Sequence, residues 1–382
     1  HAAKLVSKLK QADPSLDIWG NGGSAMKAAG ARLLYDVESF AVIGLIEPIK
    51  HLPKLIKIRY DLLNRIINDK PDAMLLMDFG GFNVGFATLV RKHVKTVPIV
   101  YFISPQVWGS RPWRINAILK AVTKMLVIFP FEEPLYRKNG VNARFVGHPV
   151  TQKFKPENER RSKVDFCKLH DLDPDKPIVG VFPGSRRQEI ASHSGVVLEA
   201  ISWLHAERPE IQFAISATNE VLGESLDSKI KKYGLESLVG STIRICSSDH
   251  NEELMTHSDL LWAKSGSTTL EATLIAKPML IFYHANWITY VLASIFKIVK
   301  YFGWPNLLHG EGIVPELIQL DCRAEQLVRY TRDWLDVPGL RNEITAELRV
   351  LKGHLGEGDF TDNAASEILS VLNLSNENAQ PV

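Results

Sequence analysis

Ile178-Val179-Gly180-Val181-Phe182-Pro183-Gly184-Ser185-Arg186-Arg187-Gln188-Glu189 decides the fold. Five apolar residues in a row, two of them β-branched, predict a strand buried on both faces. Pro183 and Gly184 end the strand and turn the chain, and a helical pattern begins a few residues later. A buried strand, a small-residue turn and a helix start form the unit of a parallel α/β sheet. That turn lies at the carboxyl edge of the sheet, where free N–H groups and a positive helix end can hold a phosphate.

A second segment repeats the pattern. Lys264-Ser265-Gly266-Ser267-Thr268-Thr269-Leu270-Glu271 follows another apolar run and also opens a helix. Two such turns point to a diphosphate-bearing ligand such as a nucleotide sugar.

Working outward, apolar runs near 178–182, 211–216, 242–246, 260–263 and 279–282 alternate with helical patterns. The amino-terminal half carries its own series. Its strands are read at Leu16–Gly20, 73–77, 97–103 and 124–129, with helices at 1–12, 26–29 and 52–68. Residues 324–372 read as mostly helical. The polar stretch 153–163 marks a linker. At 382 residues the chain suits two domains. The expected division is 1–160, a Rossmann-like domain whose first strand is missing, then 161–345, then carboxyl-terminal helices over 346–382.

The composition narrows the class. Lys plus Arg is 45 against 43 for Asp plus Glu, a balance that argues against a nucleic-acid binder. Cys167, Cys246 and Cys322 are far apart and show no metal-ligand spacing, so neither a disulfide framework nor a zinc site is expected. No apolar run is long and clean enough to span a bilayer. The aromatic stretch Trp287–Phe302 reads either as a core helix or as a helix lying in a membrane interface.

Several residues can carry chemistry. Asp78 ends a buried strand and precedes Phe79-Gly80-Gly81-Phe82-Asn83. A carboxylate there can take a proton from an attacking hydroxyl, and it can equally cap a helix. Arg186 has the fork geometry for phosphate oxygens. Ser265, Gly266, Ser267 and Thr268 offer donors to a diphosphate, and Glu271 can accept from ribose hydroxyls. Thr268 and Glu271 also have capping-box spacing. Ser104–Trp108 with Arg111, Trp113 and Arg114 reads as a ligand frame or as a packed loop. Asn306 reads as a headgroup contact or a turn-former. Asp171-Leu172-Asp173 and Gly147-His148-Pro149 read as turns.

Taken in order, these segments resemble lipid-A-disaccharide synthases. The resemblance rests on Asp78 with Gly81–Asn83, Ser104–Trp108, Arg144–Pro149, Pro183–Arg186, Ser265–Glu271 and Pro305–Leu308, and Phe40–Glu47 is similar too. It covers nearly the whole chain. It implies a GT-B fold, two doubly wound Rossmann-like domains facing a cleft, with no metal and no cofactor. It implies an inverting transfer from UDP-2,3-diacylglucosamine to 2,3-diacylglucosamine 1-phosphate, releasing UDP. It implies a peripheral enzyme on the inner face of the cytoplasmic membrane, often a homodimer. By motif, Asp78, Arg186 and Asn306 match the family's catalytic positions. Gly184, Ser185, Arg186, Ser265, Gly266, Ser267, Thr268 and Glu271 match its UDP-binding positions. Another UDP-sugar GT-B enzyme, either a peptidoglycan-type transferase or an epimerase, and a non-catalytic UDP- or lipid-binding remnant remain open alternatives.

Overall fold

The computed structural model describes residues 1–382 apart from 37–47, 155, 157–158, 218–219, 285–299, 357 and 378–382. The readings at Phe40–Glu47 and over most of Trp287–Phe302 lie outside the described residues.

The chain divides into two units, His1–Thr151 with Leu355–Val382, and Gln152–His354. Twelve strands are described, all in parallel sheets. In the second unit they are β7 (Ile178–Phe182), β8 (Gln212–Ala217), β9 (Ile243–Ser247), β10 (Leu260–Lys264), β11 (Met279–Tyr283) and β12 (Glu316–Ile318). Their spatial order is β12-β11-β10-β7-β8-β9. Counted from β7, this is the doubly wound order 3-2-1-4-5-6, which reverses direction between β7 and β10. Ligands of such sheets bind beyond the strand ends at that reversal.

Burial explains the apolar runs. Alternate residues of β7 point to opposite faces, and every one of them is buried. Val179 and Val181 pack with Phe213, Ile215 and Trp262 on one side. Ile178 and Phe182 pack with Leu261, Met279 and Ile281 on the other. Each fully buried side chain of this size contributes roughly 1.5–3 kcal/mol. In-register pairing of Val179–Phe182 with Leu260–Ala263 brings the ends of β7 and β10 side by side.

The first unit has a two-stranded sheet, β1 (Trp19–Gly22) with β2 (Arg32–Asp36), and a four-stranded sheet. The latter runs β3 (Met74–Met77), β4 (Ile99–Phe102), β5 (Lys124–Val127) and β6 (Ala143–Phe145) in spatial order. Its core includes Ile99, Tyr101, Met125 and Val127, with Val84, Ala87 and Val90 of the helix Gly80–His93 packed on them. The helix Phe360–Glu377 closes this unit. Lys124 and Arg144 pair with Glu367, Lys8 pairs with Asp362 at 2.7 Å, and Asn363 donates to Val146 O at 3.1 Å.

Two differences from the sequence reading stand out. The first strand runs Trp19–Gly22 rather than Leu16–Gly20, because it pairs with Arg32–Asp36, a short run that reads as a loop. Residues 346–382 are not one block: Pro338–His354 belongs to the second unit and Phe360–Glu377 to the first. An amphipathic helix shows which of its faces is apolar, not which body covers that face. No helix among the described residues is long and apolar enough to cross a membrane.

Candidate active site

At the carboxyl end of β3, Asp78 and Phe79 both have positive φ, 44° and 41°. Non-glycine residues rarely adopt this conformation, and a consecutive pair stores strain of the kind found at functional sites. The surroundings hold it in place. Asn83, nine-tenths buried, donates to Met77 O and Asp78 O at 2.9 Å each. The Tyr101 hydroxyl donates to Asp78 O at 2.5 Å, and Asp78 N donates to Phe102 O. Burial first, and the Asp78 charge second, push the Tyr101 hydroxyl well above its ordinary pKa, so it stays a proton donor.

The Asp78 side chain is exposed, and no hydrogen bond or ion pair holds its carboxylate among the described residues. It caps no helix: the residue preceding Gly80–His93 is Phe79, without a side-chain cap. Gly80 is required here, since a Cβ would sit 2.4 Å from Pro105 Cβ. Arg114 donates to Gly80 O at 3.2 Å.

The Ser104–Trp108 loop is a packed support. Ser104 Oγ and Trp108 Nε1 both donate to Glu132 Oε1, at 2.7 and 2.9 Å, and Phe129 N–H donates to Oε2 at 3.2 Å. Glu132 is 1% exposed. Burial raises its pKa against those donors. Phe79 and Trp113 stand exposed on the loops at this end of the sheet. His148 is a buried turn residue that accepts from Val150 N–H, and burial lowers its pKa to about 4. Asp173 likewise closes a turn, accepting from Asp175 N–H at 3.0 Å.

In the second unit, the turns after β7 and β10 converge. Lys264 Nζ donates to Glu189 Oε1 at 2.9 Å, and Ser185 N–H donates to Glu189 Oε2 at 2.9 Å. One carboxylate thus ties the first turn to the end of β10. Burial opposes its ionisation, but the Lys264 and Ser185 donors win and hold its pKa below the ordinary value. Gly184 has φ +133°, and a Cβ there would lie 2.6 Å from Glu189 Cβ, so only glycine fits. Arg186 precedes the helix Arg187–Glu207 and its side chain is 82% exposed, with its guanidinium 3.6 Å from Glu189. It is free to reach an anion at the turn.

Gly266 precedes the helix Ser267–Leu274. Ser267 is exposed and Thr268 half-buried. Their hydroxyls carry no protein hydrogen bond among the described residues. Ser265 Oγ is committed to Phe302 O at 2.8 Å. Glu271 forms no capping box: it pairs with Lys153 at 2.5 Å. Contact with a ribose would have to displace that lysine.

Asn306 differs from the sequence reading. It is 1% exposed and fully engaged. Its Nδ2 donates to Val314 O and Glu316 Oε1, both at 2.9 Å, and its Oδ1 accepts from Ile313 N–H and Val314 N–H. Glu316 also accepts from Phe302 N–H and Gly303 N–H at 2.9 Å. Every hydrogen-bonding position of the Asn306 amide is taken, so it shapes residues 302–316 and has no capacity left for substrate. Sequence reasoning missed Glu189 and Lys264 as a pair, and Glu316 altogether. Seventy-five positions separate Lys264 from Glu189, and no spacing pattern connects them.

Comparison with known proteins bears on this geometry. A family profile described as lipid-A-disaccharide synthetase matches residues 1–335. A lipid-A-disaccharide synthase of Geobacter sulfurreducens is 34% identical over 97% of this chain and 94% of its own length. Lipid-A-disaccharide synthase 1 of Legionella pneumophila (strain Paris) is 35% identical over 93% of this chain and 90% of its own. Among solved structures, the S. aureus MnaA–UDP co-structure superposes with a TM-score of 0.58 at 15% identity, covering 97% of this chain and 93% of the other. At that identity the likeness shows the fold alone.

Proposed function

The chain belongs to the lipid-A-disaccharide synthase family, and from that premise we propose how its residues divide the work. It is a GT-B hexosyltransferase of lipid A synthesis that uses a UDP-sugar. Its donor is read as UDP-2,3-diacylglucosamine and its acceptor as 2,3-diacylglucosamine 1-phosphate.

Asp78 is the general base. It takes the proton of the acceptor 6′-hydroxyl as that oxygen attacks the anomeric carbon from the face opposite UDP. The bond from the anomeric carbon to the diphosphate breaks, and UDP leaves with the electron pair and its negative charge. The second unit stabilises that charge through Arg186, the Gly184–Ser185 turn and the Gly266–Thr268 helix start. Exposed Phe79 and Trp113 suit contact with the acyl chains of a membrane-seated substrate. Membrane-surface binding and a homodimer belong to this reading.

The observation that carries the proposal is the convergence of the β7 and β10 turns, joined through Glu189, at the reversal of strand order. Two measurements test it. Calorimetry should show UDP binding, and a donor and acceptor screen should yield disaccharide only with the acylated pair. Epimerisation of a UDP-sugar without acceptor would overturn it. So would UDP binding with no product from any pair.

A further inference from the structure

The helix Arg187–Glu207 carries a second polar residue, one turn beyond Glu189. His193 is 1% exposed, yet both ring nitrogens are engaged. Nδ1 lies 2.7 Å from Pro183 O, the carbonyl that starts the turn after β7. A carbonyl only accepts, so Nδ1 carries the hydrogen. Nε2 is then the acceptor for His284 N–H at 3.1 Å, just past the end of β11. The ring stands edge-on to Phe282, with centroids 5.2 Å apart. These bonds set one neutral tautomer. Burial lowers the pKa of the imidazole, the Pro183 carbonyl opposes that, and Lys264 adds to it.

Glu189 and His193 are four residues apart and so lie on one face of the helix. Glu189 reaches the ends of β7 and β10, and His193 reaches the ends of β7 and β11. Three strand ends that border the diphosphate turns are thereby referenced to a single rigid element. An apolar residue at 193 would satisfy packing equally well. It would leave Pro183 O and His284 N–H buried without partners.

We propose that His193 is a positioning residue of the donor site, fixing the Pro183–Arg186 turn against the end of β11 through its two ring nitrogens. The inference rests on the UDP-sugar reading above. It predicts an effect confined to donor binding, because neither bond touches the first unit.

The test uses the full chain with His193→Leu and His193→Asn. The Asn amide can replace the Nδ1 donor to Pro183 O but does not reach His284. UDP affinity by calorimetry should weaken about tenfold in the Leu variant, as expected for losing two buried bonds, and about threefold in the Asn variant. The donor KM should rise in step, with the acceptor KM unchanged. Mere loss of folded protein would lower kcat and move neither KM. Unchanged UDP affinity in folded His193→Leu overturns the proposal, as does a fall in kcat alone. If the Leu variant does not fold, wild-type UDP affinity in His193→Asn overturns it. Failure of the wild-type chain to bind UDP would instead overturn the donor-site reading itself.

Discussion

The ends of the two parallel sheets are built on opposite plans. At β3 the reacting group is left free: the Asp78 carboxylate is exposed and unpaired, while its backbone is pinned in a strained conformation by Asn83 and Tyr101. At β7 and β10 the binding groups are held: Glu189 spans two turns, and Asn306 is locked to Glu316 and two backbone N–H groups. The difference follows from the chemistry. A general base needs an unshared lone pair and a fixed origin. A diphosphate site needs donors whose spacing is set before the ligand arrives.

The largest effect expected from this contrast is at Asp78. Asp78→Asn should cut kcat about 10²–10⁴-fold, with UDP affinity and Tm nearly unchanged, since the side chain holds nothing together. Wild-type turnover would end its role as base. Asn306→Ala should act in the opposite manner. Removing the amide strands buried partners, at a cost of about 3 kcal/mol, so calorimetric unfolding of the second unit should shift by roughly 10 °C. A variant with unaltered Tm and abolished turnover would return Asn306 to the substrate contacts.

Arg186→Ala lies between the two plans, being exposed yet in the binding region. It should weaken UDP by about tenfold while leaving Tm unchanged, because the lost contact is a charge-assisted bond to the ligand alone. An equal loss of stability would make it a structural residue. The smallest effect is expected from EDTA. If fixed cations and helix ends carry the leaving-group charge, chelation should leave turnover within error, and abolished turnover would refute that account.

Much of this was legible in the chain because strand–turn–helix units are local. The strands from β7 to β11 follow from continuous apolar runs, and their turns follow from Pro183-Gly184 and Ser265-Gly266. The doubly wound order then locates the diphosphate region without further assumption. Short strands were harder. Arg32–Asp36, Ala143–Phe145 and Glu316–Ile318 hold three to five residues each, too few to show a period.

The site divides the same way. Asp78 and Arg186 follow rigid strand ends, so their positions are predictable from local sequence. The partners of Glu189, Lys264, Asn306 and Glu316 depend on tertiary contacts, and Glu271 meets Lys153 across 118 positions. An asparagine in a loop looks alike whether its amide meets a ligand or four groups of its own chain. Only the count of bonds around it separates the two.

The return of the helix Phe360–Glu377 to the first unit has a consequence for biosynthesis. Residues 152–354 are contiguous, so the second unit can fold as soon as they leave the ribosome. The first unit must wait for a segment translated last, with Lys8, Lys124 and Arg144 unpaired until Asp362 and Glu367 emerge. The usual order, in which the body translated first is also the first to finish folding, is thereby reversed. A stop codon shortly after His354 would spare the later-synthesised unit and cripple the earlier one.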